Sequence, residues 1–295
     1  MQAGHLNPSD GMCLNIINLA GRHADPILAT EALRTLSTRK TALSTYHYEA
    51  LLEAYIKSGD VKTAFRILTI MAKAGLEPSP SNTRPLYTYL SNHGSILEPN
   101  RRPHEAWKVI LQLHSDGHII PTTSVNVILE ALVTSAGYSE ALGLYKKMHT
   151  VCKADSETFN ILLRALSNAH VFEERDVQFI KDPKPSAMFI ASEMRALNIK
   201  PNRITYDRLI LICLRENDYS DAFAYLQEMM QVGKSRGEDW WMRGGTAKAM
   251  VQLCVVNNDK RAWGLLEEME KRGLDNNRLS QWAKLNWPQS ALYTT

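Results

Sequence analysis

Tyr206-Asp-Arg-Leu-Ile-Leu-Ile-Cys-Leu-Arg-Glu-Asn-Asp-Tyr-Ser-Asp-Ala-Phe-Ala-Tyr-Leu-Gln-Glu-Met229 is the stretch that decides the fold. It reads as two short amphipathic helices separated by a polar break at Glu216 to Ser220. Its second half recurs at Ala64 to Met71, Ala141 to Met148 and Ala262 to Met269. In each, a small residue is followed seven positions later by methionine, two turns along one helical face. With the small residue as a ruler, anchors fall at Ala29, Ala64, Ala106, Ala141, Ala187, Ala222 and Ala262. Successive spacings are 35, 42, 35, 46, 35 and 40 residues, so no interval is shorter than 35. Leu36, Met71, Leu113, Met148, Met194, Met229 and Met269 lie seven residues after the anchors. A period of this size marks an array of supersecondary units, each leaning on its neighbours.

The longer intervals have visible causes. Ile96 to Pro103 and Val171 to Ser186 each carry two prolines and read as loops, and Gln231 to Asp239 reads as a connector. Upstream of each anchor lies a first helix with its own apolar residues: Ile16 and Ile17, Leu51 and Leu52, Leu86, Ile128 and Leu129, Leu162 and Leu163, Leu209 and Ile210, and Met250. Second helices close with Lys73-Ala-Gly75 or Lys271-Arg-Gly273, a basic last turn and a helix-stopping glycine. The alanine anchor lets two helices approach closely, and a large residue there overpacks by about 1–3 kcal/mol. At the end, Leu279, Trp282 and Leu285 form one apolar side of a final helix that caps the last unit.

Composition is that of an ordinary globular chain: 295 residues, 44% hydrophobic, 22% charged, net charge +3. No apolar run reaches the roughly 18 residues of a membrane span. Cys13, Cys152, Cys213 and Cys254 form no CxxC pair, which points to a reduced compartment without disulfides. Met1 to Asp10 contains neither an Arg-rich amphipathic segment nor an apolar signal core, so either a targeting segment lies outside this sequence or the protein stays where it is made. No phosphate loop, dinucleotide motif or zinc-deaminase motif occurs, and no catalytic group or cofactor is expected. His114 and His118 share a helical face without a third metal ligand. Trp240-Trp241 reads as an anchor for the last unit, with RNA stacking as the alternative, and Tyr46, Tyr48, Tyr87 and Tyr89 read as packing.

Thr158-Phe-Asn-Ile-Leu-Leu-Arg-Ala-Leu-Ser167 and Ile204-Thr-Tyr-Asp-Arg-Leu-Ile210 resemble the first helix of a pentatricopeptide repeat. Ala141-Leu-Gly-Leu-Tyr-Lys-Lys-Met148 and Ala262 to Gly273 resemble its second helix, and Asn198-Ile-Lys-Pro-Asn202 and Gly75-Leu-Glu-Pro-Ser79 its closing turn. The resemblance implies an all-α, right-handed superhelical α-solenoid of seven units over residues 10–277, with repeats at about 10–44, 45–79, 80–121, 122–155, 156–202, 203–242 and 243–277. Residues 1–9 would be a stub and residues 278–295 a capping helix and tail.

The resemblance also implies a single-stranded RNA reader, one base per repeat, in mitochondrial RNA processing, stability or translation. The base would be read by the residue after the aromatic position of the first helix, paired with the last residue of the repeat. Those pairs are Leu14 with Ser44, Glu49 with Ser79, Arg84 with Pro121 or Thr122, Asn126 with Asp155, Asn160 with Asn202, Asp207 with about Met242, and Ala247 with Asn277. Asn126/Asp155 and Asn160/Asn202 match the family's pyrimidine-reading combinations, because an amide offers a base edge both a donor and an acceptor. The other five depart from the pattern. Each asparagine also has a plainer reading as a helix-starting or solvated residue. Arg195, Lys200, Arg203, Arg208 and Arg215, against Asp207 alone, form either a phosphate track or an ordinary charged surface. Arg101-Arg102 in the proline-rich insert is placed to reach RNA or a neighbouring protein. The alternative function is a protein scaffold, for example among ribosomal or respiratory-complex assembly proteins.

Overall fold

The structure, a computed structural model, describes residues 8–39, 42–92, 101–135, 138–167 and 183–287. Among the described residues there are fifteen α-helices and no strand. They divide into two compact units, residues 1–154 and 155–295. The first holds α1 (Asp10–Arg22), α2 (Pro26–Thr38), α3 (Thr45–Lys57), α4 (Val61–Lys73), α5 (Pro80–Ser91), α6 (Arg101–Ser115), α7 (Thr122–Ser135) and α8 (Tyr138–Met148). The second holds α9 (Ser156–Ser167), α10 (Pro183–Ala196), α11 (Arg203–Arg215), α12 (Tyr219–Ser235), α13 (Gly244–Val256), α14 (Arg261–Lys271) and α15 (Asn277–Asn286). In both units each odd-numbered helix packs against the even-numbered helix that follows it. Odd helices also stack on one another in chain order, α1 to α3 to α5 to α7 in the first unit and α9 to α11 to α13 to α15 in the second. This is the helix-hairpin stacking expected from the 35-residue period.

The ruler residues explain the packing. All seven alanine anchors and all seven residues two turns beyond them are no more than 2% exposed. Each even helix therefore presents a small residue where the neighbouring backbone comes close and a long flexible one where the gap opens. Phe65 and Phe159 are the largest fully buried side chains.

One device recurs in the hairpins. The backbone N–H of Asp25 closes α1 by donating to Ala20 O at 2.9 Å, while its Oδ1 opens α2 by accepting from Leu28 N at 3.0 Å. Asp60 does the same between Tyr55 O and Thr63 N, and Asp218 between Cys213 O and Asp221 N. Asp259 closes α13 on Cys254 O and accepts from Arg261 N. The residue before each aspartate is left-handed: Ala24 at φ 58, Gly59 at φ 85, Asn217 at φ 57 and Asn258 at φ 56. One residue thus satisfies an orphan carbonyl of the outgoing helix and an orphan N–H of the incoming one. Alanine is the least suited of the four to that conformation, since its Cβ crowds the carbonyl. Ala24→Gly is expected to raise unfolding stability by about 0.5–1 kcal/mol, the relief of strain less the added chain entropy. Urea titration measures it, and a loss of stability would show that Cβ contacts outweigh the strain.

Several expectations are corrected. Pro103 sits in the first turn of α6, and Pro183 and Pro185 in the first turn of α10, where no intrahelical N–H is required. Residues 93–100 and 168–182 lie outside the described residues. Arg101 pairs with Glu105 at 2.8 Å. Arg102 lies 4.5 Å from the centre of the Tyr89 ring and donates to Tyr89 O and Asn92 O, so it terminates α5 instead of reaching outward. The connector after Met229 is shorter than expected, because α12 continues to Ser235. Gly244 and Gly245 begin α13. His118 follows Gly117 at φ 83, beyond the end of α6, and shares no helical face with His114. Tyr48 alone of the four tyrosines is core, while Tyr46 is exposed and accepts a hydrogen bond from Asn18.

Trp240 and Trp241 are buried, as an anchor requires. Gly233 makes room for Trp240, since a Cβ there would come within 2.7 Å of the indole-bearing carbons. In α15, Leu279 and Ala283 face α13, whereas Leu285 is 84% exposed and belongs to another side of the helix. No helix of the described residues is long and apolar enough to cross a membrane.

Candidate nucleic-acid interface

The fourth residue of each odd helix points into the core at Cys13, Tyr48, Val125, Phe159, Tyr206 and Ala247. The fifth is therefore Leu14, Glu49, Arg84, Asn126, Asn160, Asp207 or Lys248. This corrects the last unit. Ala247 fills the core position that an aromatic marks elsewhere, and the residue after it is Lys248, which is exposed. The closing partners are the residues that precede the next odd helix, so the sixth and seventh partners are Arg243 and Asn276, not Met242 and Asn277.

In the first unit, Leu14 packs against the core cluster of Cys13 and Ile17. Glu49 and Arg84 line a groove of about 790 Å³ with Glu53, Lys57 and Tyr89. Arg84 is exposed and has no ion-pair partner among the described residues. Ser44 and Ser79 are helix caps: His47 Nδ1 accepts from Ser44 N–H at 3.0 Å, and Asn82 Oδ1 from Ser79 N–H at 2.8 Å. Asn82 also donates to Thr45 O, tying α5 to α3. Asn126 is buried beside Ser124, whose hydroxyl has no hydrogen-bond partner among the described residues. Pro121 precedes α7 and brings neither an N–H nor a side-chain oxygen to complete a capping box there.

In the second unit the closing residues do bring oxygens. Asp155 Oδ1 accepts from Thr158 N–H at 2.8 Å and from its hydroxyl at 2.9 Å. Asn202 Oδ1 accepts from Thr205 N–H at 3.0 Å. Asn160 is fully buried, with its carbonyl oxygen accepting from Thr205 Oγ1 at 2.9 Å and its amide donating to Asn202 Oδ1 at 3.4 Å. Asn160 and Asn202 are thus brought together, and the threonine between them holds both. Asn126 and Asp155 belong to different units.

Asp207 is buried and accepts from Arg243 N–H at 2.8 Å, with the Arg243 guanidinium 3.8 Å from its second oxygen. It is a cap for α13 and a counter-charge. Arg203 is turned to the Trp241 carbonyl, 2.7 Å away. Arg208 donates to the Asn160 carbonyl. Burial, and then the charge of Arg164, lowers the Arg208 pKa to about 10, partly offset by Glu157, so it stays cationic at neutral pH. Arg195 lies 3.9 Å from Glu228 on α12, so the run from Arg195 to Arg215 does not form one track. Instead Arg208 feels the charges of both Arg164 and Arg243, with exposed Lys248 a little over one turn past Arg243. Arg164 stands four residues after Asn160 on the same face, a spacing that could have revealed it.

Seven helix hairpins, stacked in chain order within each unit and closed by α15, define a helical-repeat protein. The family profile described as "Pentatricopeptide repeat-containing protein" matches residues 10–148, and that of a "Pentatricopeptide repeat domain" matches residues 189–235. Together they cover more than half of the sequence, and the chain belongs to the pentatricopeptide repeat family. Among solved structures it is similar to the pentatricopeptide repeat protein PPR10 in complex with an 18-nucleotide psaJ RNA element, at 17% identity and a TM-score of 0.44. That match covers 95% of this chain and 42% of the other. A second is PPR10 from maize, at 17% identity and a TM-score of 0.33, covering 91% of this chain and 44% of that one. The chain therefore spans less than half the length of these structures. No curated protein matches it.

Proposed function

We propose that the chain binds single-stranded RNA along its odd-numbered helices, with the second unit holding the phosphate backbone. The observation that carries this reading is Arg208, bonded to the Asn160 carbonyl and within the field of Arg164 and Arg243, with exposed Lys248 five residues after Arg243, in a member of a family whose repeats read one base each. Arg84 adds an exposed cation in the first unit. Base recognition falls to Asn126 in the first unit and to Asp155, Asn160 and Asn202 in the second. For Asn160 this means exchanging the Thr205 hydroxyl for a base edge, a swap of like for like in hydrogen bonding. Family membership further supports action on an organellar, specifically mitochondrial, transcript in its processing, stability or translation. Binding without chemistry is the activity proposed.

A second reading has its own observation. Leu14 is drawn into the core and Glu49 stands beside Glu53 in the groove between α3 and α5, a poor lining for phosphates. This favours a protein partner at the first unit, such as a ribosomal or complex-assembly protein.

Gel-shift selection from a randomised RNA pool tests the first reading. A pyrimidine-containing motif is expected, and Asn126→Ala or Asn160→Ala should weaken binding to it by about 1–3 kcal/mol. Since Asn160→Ala also removes a buried acceptor of the Thr205 hydroxyl, which is left with Asn202 alone, its unfolding stability is measured in parallel. Failure of the unaltered protein to bind any RNA at about 0.1 M salt would overturn the reading.

A further inference from the structure

The ninth residue of the odd helix of each hairpin is Asn18, Glu53, Thr88, Glu130, Arg164, Leu211 or Gln252. Across the seven hairpins the line is polar except at Leu211. There the structure has an apolar trough of about 450 Å³, bounded by Leu211 and Leu214 of α11, Leu253 and Val256 of α13, and Trp282 of α15. Ala249, Arg215 and Gln252 complete its lining. Among the described residues, the Gln252 amide, the Arg215 guanidinium and the Trp282 indole N–H make no hydrogen bond or ion pair. Arg215 is two turns from Arg208 on α11, and Gln252 one turn from Lys248 on α13, so the trough continues from the cationic group in the same unit.

We infer that this trough is a nucleobase pocket: an unpaired base of the bound RNA stacks on Trp282 between the leucine walls, Gln252 meets its edge, and Arg215 meets its phosphate. The inference rests on the RNA-binding reading and adds a mode of recognition to it. An aromatic face with apolar walls takes any base, and one amide supplies a donor and an acceptor together. An anionic strand is favoured over a protein helix because the rim charge, Arg215, is an unpaired cation with another, Lys248, a turn from Gln252. Capping helix α15 thereby contributes to binding as well as covering α13.

The test uses the full chain labelled with nitrogen-15 in its six tryptophan indoles. The Trp282 resonance is assigned by its loss in Trp282→Phe. Uridine monophosphate and a 12-residue oligouridine should shift that resonance, while ribose 5-phosphate, which has no base, should not. Trp282→Ala should weaken oligouridine binding by about tenfold, and Trp282→Phe should retain most of it. The pocket is overturned if the Trp282 resonance stays still at saturating oligouridine. In that case RNA binding that still falls on Arg164→Gln and Arg208→Gln leaves the broader reading intact, whereas absence of any RNA binding removes both. Sedimentation provides the last arm. Concentration-dependent self-association abolished by Val256→Asp would assign the trough to a second copy of the chain and overturn the base pocket.

Discussion

Trp241→Ala is expected to lower unfolding stability by about 3–5 kcal/mol, the largest effect of any single change considered. The indole is 2% exposed, so its removal from a close-packed interior leaves a cavity. It also strips the support from Arg272, whose guanidinium lies 5.1 Å from the ring centre. That guanidinium is held by both oxygens of Asp239 at 2.8 Å and by Glu268 at 2.7 Å, so a well-formed ionic cluster rests on the indole. Arg203 reaches the backbone of the same residue, which ties α11 to the start of α13. Chemical denaturation followed by circular dichroism measures the loss. A change below about 1 kcal/mol would return Trp241 to the role of an exposed stacking surface. Because repeat arrays can unfold in parts, the comparison belongs with the transition that reports the second unit.

The second large effect is on binding. Replacing Arg164, Arg208 and Arg243 together by glutamine is expected to reduce the slope of log affinity against log salt by about 2 for single-stranded RNA, near 0.7 for each phosphate contact removed. Affinity in dilute salt should fall steeply while the difference narrows as salt rises. An unchanged slope would show that the phosphates lie elsewhere. Arg208→Gln alone should act partly through structure, because the guanidinium also donates to the Asn160 carbonyl.

The fold was legible because its rule is steric and repeated. Seven alanines and their partners two turns on are buried wherever the ruler placed them. The candidate site was less legible because it depends on register. An aromatic marks the fourth helical position at Tyr48, Phe159 and Tyr206, so the residue after it is the fifth of its helix. The seventh repeat has Ala247 there, so no aromatic marks the register and neither Lys248 nor Arg243 carries a local signal. Prolines misled in the same way. Read as loop markers at Pro103, Pro183 and Pro185, they are first-turn residues, a place where proline's missing N–H costs nothing. Roles such as the closing of Asn160 on Thr205, 45 residues later, have no local signal at all.

The aspartate turns carry a consequence for how the chain can be lengthened. Between α1 and α2, α3 and α4, and α11 and α12, three residues join the helices, and one side chain and one backbone N–H of the same aspartate fix both ends. An added residue there separates the stop signal from the start signal, so both helices lose a cap at once. A single inserted residue at any of these three joints should therefore cost more than the loss of one ordinary helix cap, which is worth about 1 kcal/mol, because two caps go together. The aspartate turns are welds, and a chain redesigned for length should leave them untouched.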